Sequence, residues 1–560
     1  MDRVAVILSQ YDVLKNQRSR LNSLWEEIAE VLSPDRVGFS GGRRGDVAPS
    51  KIFDTAPLVA KRGLVNALGG MLRPKSSSAG KWFSIVPEDE ELMDSREVKV
   101  WVNRAEERMW RSMYNPRARF IEATGECDDD IVTFGTAVGF CGLRNDGNGL
   151  LFRSFNLAST YLEVDAENRV TGVYVREHLT PRQAANKWGA DNLGRLTKEK
   201  LERTTRGNAT DDEKCEFVWL VTPRHDRDPR IKNSKNMPFC SVVVDVASEH
   251  IVLEEGYEEM PFFTPRWDTR SGEVYGRGPG VMALPDVLTL NSMGKTMLRA
   301  LHRAVDPTWL LPSDSMVDTS KLIPGGVSYY DAKAIRNLGL ANPFVQMGST
   351  AQVPWGLNAQ QSSREQVFAL FYRNVLNLPV DAPQMTATEV IQRREEFVRE
   401  IGAVFGRLET DYSGPMVERA FNIMLRKGAF GPIEDIPDAL QGASVTFRFA
   451  SPVERAKKQI DEATVLQGVA KVLEIGQIQP SVMDRYNWDE VAKFIADSND
   501  MPPQLTLDDK AVQAIAAQRQ QQAAQAAKMD AMERGAKIAK DVGGMVGNPG
   551  AGLPGLGGAA

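Results

Sequence analysis

The residues of this chain with the means to do chemistry are few, and their spacing decides what they can do. Residues 291 to 305 read NSMGKTMLRALHRAV, and a Gly-Lys-Thr triplet can close a phosphate-binding loop. Such a loop also needs a glycine five residues before the Gly-Lys pair, so that successive backbone N–H groups wrap the phosphates. Counted back from Gly294, that position is Thr289. Pro285 and Asp286 look instead like the opening of a helix. Three adjacent carboxylates, Asp128, Asp129 and Asp130, offer metal chemistry, but consecutive residues on a helix point in different directions. They read as a solvated face or as charge at a helix contact. The histidines His178, His225, His250 and His302 stand at no ligand spacing to one another. Cys127, Cys141, Cys215 and Cys240 are far apart and form no C-x-x-C, so buried free thiols are expected. No catalytic residue, no metal site and no cofactor is expected.

Positioning such residues is the work of a long chain. It has 560 residues, 42% hydrophobic and 25% charged, the balance of a globular protein with material for several cores. A net charge of -6 argues against a protein that grips DNA over its whole surface, because phosphate neutralisation by Lys and Arg dominates such affinity. It leaves room for nucleic acid that slides past. No apolar run approaches the roughly 18 residues of a membrane span, and the opening MDRVAVILSQYDVL is too short in its apolar part for a signal peptide. The expectation is therefore no membrane and residence in the cytoplasm.

Apolar spacing of three and four predicts helices at Leu21, Leu24, Trp25, Ile28, Val31 and Leu32, at Leu64 to Leu72, and at Val98 to Met109. From about residue 132 short runs such as TAVGFCGLR, LLFRSFNL, VTGVYVRE, EFVWLVT, CSVVVDVA and HIVLEEG predict strands. DAENR (165 to 169) reads as a hairpin connection. A helix of roughly 21 residues from Pro285, spanning about 30 Å, carries an apolar stripe of Leu290, Met293, Met297, Leu301 and Ala304. Lys295, Arg299 and Arg303 recur every four residues on a second stripe. Asp306-Pro307 stops it. Residues 308 to 350 are dense in turn residues and suggest a small β-containing projection. A second helix follows through Ala359 to Asn377, with Val367, Leu370, Phe371, Asn374 and Val375 on one face.

The loop NLPVDAPQM (377 to 385) precedes Thr386-Ala387-Thr388-Glu389, a capping box. Its helix ends at Ser413-Gly414-Pro415. Another capping signal at Ser451 to Glu454 launches a helix to Gly476. From Thr506 an Ala- and Gln-rich stretch favours helix but buries little. Alone such a helix is marginal in water, so it is expected to stand beside copies of itself.

The order of LNSLWEEIAEVLSP, IFDTAPLVAKRGLVNALGGML, KWFSI, YGRGPGVMALPDVLTLNSMGKTMLRALHRAVDPTWLLP and TATEVIQRREEFVREIGAVFGRLETDYSGPMVERAF resembles the portal, or head-to-tail connector, proteins of short-tailed double-stranded DNA phages. The resemblance runs to about residue 500. It implies an α+β subunit of a ring, usually of twelve copies, around a channel at one capsid vertex in the virion, assembled in the host cytoplasm. It implies a wing at 1–284, stem helices at 285–305 and 351–376 around a clip at 306–350, and a tunnel loop at 377–388. A wing return at 389–450, a helical crown or short barrel at 451–541 and a flexible tail at 542–560 complete the division. Asn377, Asp381 and Gln384 in the tunnel loop would join Lys295, Arg299 and Arg303 as channel candidates. The implied partners are other copies of the chain, passing duplex DNA, the large terminase subunit, major capsid and scaffolding proteins, and head-tail adaptor or tail proteins.

Physics constrains how such a stem works. Its basic stripe can meet phosphates or pair with carboxylates of a neighbouring copy. If it faces DNA its cations must stay few, since each neutralised phosphate strengthens binding and a tight conduit would hold the duplex still. The rival readings are a packaging-associated ATPase, which lacks its second glycine, a nuclease, which lacks spaced carboxylates for two metals, and a head-tail adaptor without a channel.

Overall fold

The computed structural model describes residues 3–39, 51–74, 81–144, 146–206, 213–228, 230–231, 233–305, 308–312, 327–330, 345–347, 353–373, 402, 404–432, 435–442, 445–449, 464–475, 479–498 and 509–546. It mixes helix and sheet. The chain opens with α1 (Arg3–Leu32), α2 (Ala56–Leu72), β1 (Phe83–Pro87), α3 (Arg96–Met113) and α4 (Phe120–Phe134). The three amphipathic segments read from apolar spacing lie in α1, α2 and α3, and Trp25, Ile28, Leu64, Leu68, Val98 and Met109 are all buried.

The strand runs form two sheets. In the first, β2 (Val138–Leu143) lies between β3 (Leu150–Phe155) and β9 (Phe262–Phe263). In the second, β4 (Thr160–Val164), β5 (Val170–Leu179), β6 (Cys215–Pro223), β7 (Phe239–Asp245) and β8 (His250–Tyr257) follow one another in that order, each antiparallel to the next. DAENR makes the β4–β5 connection, with Asp165 N donating to the Arg169 carbonyl. Alternation along β6 and β7 sends side chains to both faces, and both are covered. Val218, Leu220, Val242 and Val244 meet Val4, Ile7 and Tyr11 of α1. Cys215, Phe217 and Val243 meet Ala184 and Trp188 of α5 (Pro181–Trp188), beside which α6 (Arg195–Thr205) packs. All four cysteines are buried free thiols.

Arg18 ties α1 to the second sheet. It is buried, with guanidinium hydrogen bonds to the carbonyls of Leu157 (2.6 Å), Ala158 (2.9 Å) and Thr160. Its cation lies 3.9 Å from the Tyr161 ring centroid, which replaces part of the hydration it has lost. Desolvation lowers its pKa.

Two long helices come next, α7 (Pro279–Val305) and α8 (Val353–Leu370). Sequence reading starts the first at Pro285, but the helix begins six residues earlier and carries Pro285 inside it. Tertiary packing decides this: Pro279, Gly280, Ala283 and Leu284 are buried, and Gly280 lies against the Thr133 carbonyl at the end of α4. Pro285 is exposed, so the one backbone donor it lacks is lost where water is available. The second helix is displaced the same way, beginning at Val353 and ending at Leu370, with Tyr372 left-handed at φ 56°. Val367 and Phe371 are buried as the periodicity requires, while Asn374 and Val375 lie outside the described residues. Between the two helices, β10 (Thr308–Pro312) pairs parallel with β11 (Val327–Tyr330) and antiparallel with β12 (Val345–Met347).

The expected helix end at Ser413-Gly414-Pro415 is not an end. The chain passes through a π-helical turn, Glu409–Ser413, straight into α9 (Gly414–Arg426). One extra residue in the turn absorbs the donor that Pro415 cannot supply. β13 (Val445–Phe449) then returns to pair antiparallel with β1, Phe83 against Phe449, closing the body between two distant parts of the chain. Beyond it the structure describes a helical stretch at 464–475, α10 (Trp488–Ser498) and α11 (Asp509–Val546), 38 residues or about 57 Å long. The capping signals at 386–389 and 451–454 lie outside the described residues.

Candidate nucleic-acid interface

α7 and α8 run antiparallel, and small residues set their distance. A Cβ on Gly356 of α8 would stand 2.4 Å from the Met297 sulfur of α7, so a larger residue there would have to push that flexible thioether aside. Ser363 Oγ lies 3.7 Å from the Met293 sulfur one step further along. The glycine of the Gly-Lys-Thr triplet has the same task. A Cβ on Gly294 would meet the Phe53 carbonyl oxygen at 3.1 Å. The triplet is a helix-packing feature, and its backbone N–H groups belong to α7 rather than to a phosphate.

A short segment, Lys51 to Thr55, is clamped by both helices. Asn291 of α7 accepts from Phe53 N (2.7 Å) and donates to the Lys51 carbonyl (2.9 Å). Asp54 receives the Gln360 amide (2.9 Å) and the Arg364 Nε (3.0 Å) from α8, and also caps α2 by accepting from Ala56 N (2.9 Å). Asp54 is therefore buried with three donors on its carboxylate. Sequence reading missed this clamp. The Asp54-Thr55-Ala56-Pro57 string signals a helix start, but nothing local says that its carboxylate also anchors a helix 306 residues away.

Lys295 sits with its ammonium 5.3 Å from the Phe53 ring centroid, a cation–π contact. Arg299 and Arg303 are exposed, and no carboxylate among the described residues pairs with any of the three. The three share a stripe about 12 Å long. Only the first half of the expected apolar stripe is covered: Leu290 is buried and Met297 packs on Gly356, whereas Leu301 is exposed. Leu298, Val305, Leu357 and the 78% exposed Trp355 join it on the far half of the pair, where α8 is the described helix packed beside α7. Asn377, Asp381 and Gln384 lie outside the described residues.

The Asp128, Asp129, Asp130 run is a contact, and the solvated alternative fails for two of its members. Asp128 and Asp130 are each 1% exposed. Asp128 pairs with Arg73 and accepts from Tyr412 OH at 3.2 Å. Asp129 pairs with Lys61 at 2.9 Å, and Asp130 lies 3.5 Å from Arg36 Nε. The carboxylates point to three separate partners, as helical geometry demands. Burial drives the Asp128 carboxyl up against the pull of Arg73. Burial pushes Asp130 up to about 7 despite Arg36, and neither of its oxygens accepts a hydrogen bond. Among the described residues no group of three or more His, Cys, Asp or Glu is placed to hold a metal ion, and no helix is long and apolar enough to cross a membrane.

The chain is 27% identical over 541 residues to the portal protein of Salmonella phage epsilon15, covering 95% of this chain and 94% of that one. It is 27% identical over 547 residues to the probable portal protein of Bordetella phage BPP-1, covering 96% and 95%. The family model for the bacteriophage head to tail connecting protein matches residues 5–506. This chain therefore belongs to the bacteriophage head to tail connecting protein family.

Proposed function

We propose that copies of this chain close side by side into a ring, twelve in number, whose opening passes double-stranded DNA at one capsid vertex during packaging and ejection. One observation carries the reading. No described residue after Leu440 is buried, yet that part of the chain exposes Leu466, Leu473, Ile475, Tyr486, Phe494, Val512, Ile515, Met529 and Met532. Helices that bury nothing within one chain need apolar cover from elsewhere, and identical neighbours supply it in a closed ring. The names of the two phage relatives support the same reading.

In this arrangement α7 and α8 are the stem and β10 to β12 belong to the clip, with residues 377–388 forming the tunnel loop. Residues 1–284 and 389–450 are the wing, and 451–541 the crown. In this reading Lys295, Arg299 and Arg303 meet phosphates from the stem, and Asn377, Asp381 and Gln384 stand at the constriction. Three cations per copy on an acidic chain give contacts that a moving duplex can exchange. The chain does no chemistry; ATP hydrolysis belongs to a terminase large subunit docked on the ring. Capsid and scaffolding proteins surround the ring, and adaptor or tail proteins follow the motor.

Negative-stain imaging of the purified protein tests this, with rings and a central hole as the expected result. A monomer under all solution conditions, or a closed ring too narrow for a duplex, rejects it. Replacing Lys295, Arg299 and Arg303 together with alanine should leave rings intact and alter DNA packaging or retention.

A further inference from the structure

A surface pocket of about 270 Å³ opens between α9 and the edge where β2 and the end of β8 meet. It shares no residue with α7 or α8, and the channel reading leaves it without a task. Arg419, Arg426 and Lys427 form one wall; Phe140, Leu143 and Tyr257 form another. The charges do not balance. Arg419 and Arg426 both donate to the single carboxylate of Glu259, and Lys427 has no ion-pair partner among the described residues. With Glu258 also on the rim, three cations face two carboxylates. Arg419 is 7% exposed and its Nε has no acceptor.

We propose that this pocket docks an acidic peptide segment of a partner protein, in which an Asp or Glu stands beside a large apolar residue. Size and chemistry select this occupant. Cofactor and drug-sized ligands use pockets of about 300–1,000 Å³, so this one takes one or two side chains. Lys427 and the outer face of the arginine pair favour a carboxylate at the rim, where charge-assisted hydrogen bonds are strongest. The rings of Phe140 and Tyr257 and the exposed Leu143 supply apolar cover that a free anion or a DNA backbone cannot use. Complementary charge at such a rim speeds encounter and rejects basic segments.

Fluorescence anisotropy on the full-length protein tests the assignment, with a labelled Gly-Asp-Phe-Asp-Leu-Gly peptide as probe and Gly-Lys-Phe-Lys-Leu-Gly as its control. The acidic probe should bind saturably and weaken with added salt, and the lysine peptide should not bind. Lys427→Glu and Leu143→Glu, both at exposed positions, should each lower affinity at least tenfold with unchanged melting, while Lys295→Ala leaves it alone. No saturable binding of the acidic probe, equal binding of both peptides, or unchanged affinity in both variants overturns the proposal. Displacement of the probe by inorganic phosphate or a short duplex at comparable concentration would reassign the pocket to free phosphate or nucleic acid and also overturn it.

Discussion

The body of the chain up to Leu440 and the helices after it follow opposite rules. The first region gathers Trp25, Phe134 and Tyr275 edge to face around α1, with the Trp25 ring centroid 5.2 Å from that of Tyr275 and 6.2 Å from that of Phe134, and joins helices and sheets through one large core and two smaller ones on the faces of the second sheet. The second is helical, and among its described residues, those of α11 included, none is buried. Helix propensity from Ala and Gln makes such a segment helical, but only apolar burial makes a fold that stands by itself. One chain thus carries a packed body beside helices with no buried residue among those described; in the proposed ring, neighbouring copies would supply their cover.

Substitutions sharpen or break that contrast. Trp25→Ala should have the largest effect, about 3–5 kcal/mol lost in urea unfolding of the subunit. A loss below about 1 kcal/mol would mean that α1 is not central to the core. Gly294→Val comes next, at about 1–3 kcal/mol, because the new methyls have to displace the Phe53 carbonyl. Hydrogen exchange at the Phe53 amide, now donated to Asn291, should speed up, and unchanged protection would show that the clamp tolerates the shift.

A pH test probes the ionic contacts inside the first region. Asp130 moves from an ordinary value of 3.8 to about 7 in the fold, so the folded chain holds a proton there that the unfolded chain has released. Its contribution is full below about pH 4 and is lost as the pH rises through about 7. Asp130→Asn cannot ionise, so its stability relative to the parent should improve between pH 5 and pH 8. Equal urea midpoint differences at the two pH values would refute this. Smallest of all for the single subunit is the pair Met529→Ser and Met532→Ser, within about 0.5 kcal/mol because both side chains are exposed there. Its effect should appear in the concentration dependence of assembly measured by sedimentation; a drop in subunit stability instead would show that α11 has a partner within the chain.

Much of the fold was legible. Period-three-and-four spacing found α1, α2 and α3, each of which buries one face, and short apolar runs bounded by turn residues found the strands from β2 to β8. The misjudged boundaries share a cause. Pro285 and the Ser413-Gly414-Pro415 string are strong local stop signals, and in both places burial on the neighbouring α4 or passage into α9 outweighs them. The stripe of Lys295, Arg299 and Arg303 was visible as a period, but its support was not: Phe53, Asp54 and Asn291 belong to segments more than 230 residues apart.

Sequence alone located α1 to α3 and the strands from β2 to β8, and showed that the Gly-Lys-Thr triplet lacks its phosphate loop and that three consecutive aspartates point apart on a helix, since backbone periodicity and residue spacing are local properties. Tertiary structure alone decided which partner each aspartate meets, why Gly294 is a glycine, and where a pocket with one excess positive charge opens. Those outcomes depend on which distant surfaces come within a few ångströms, and no local pattern encodes such distances.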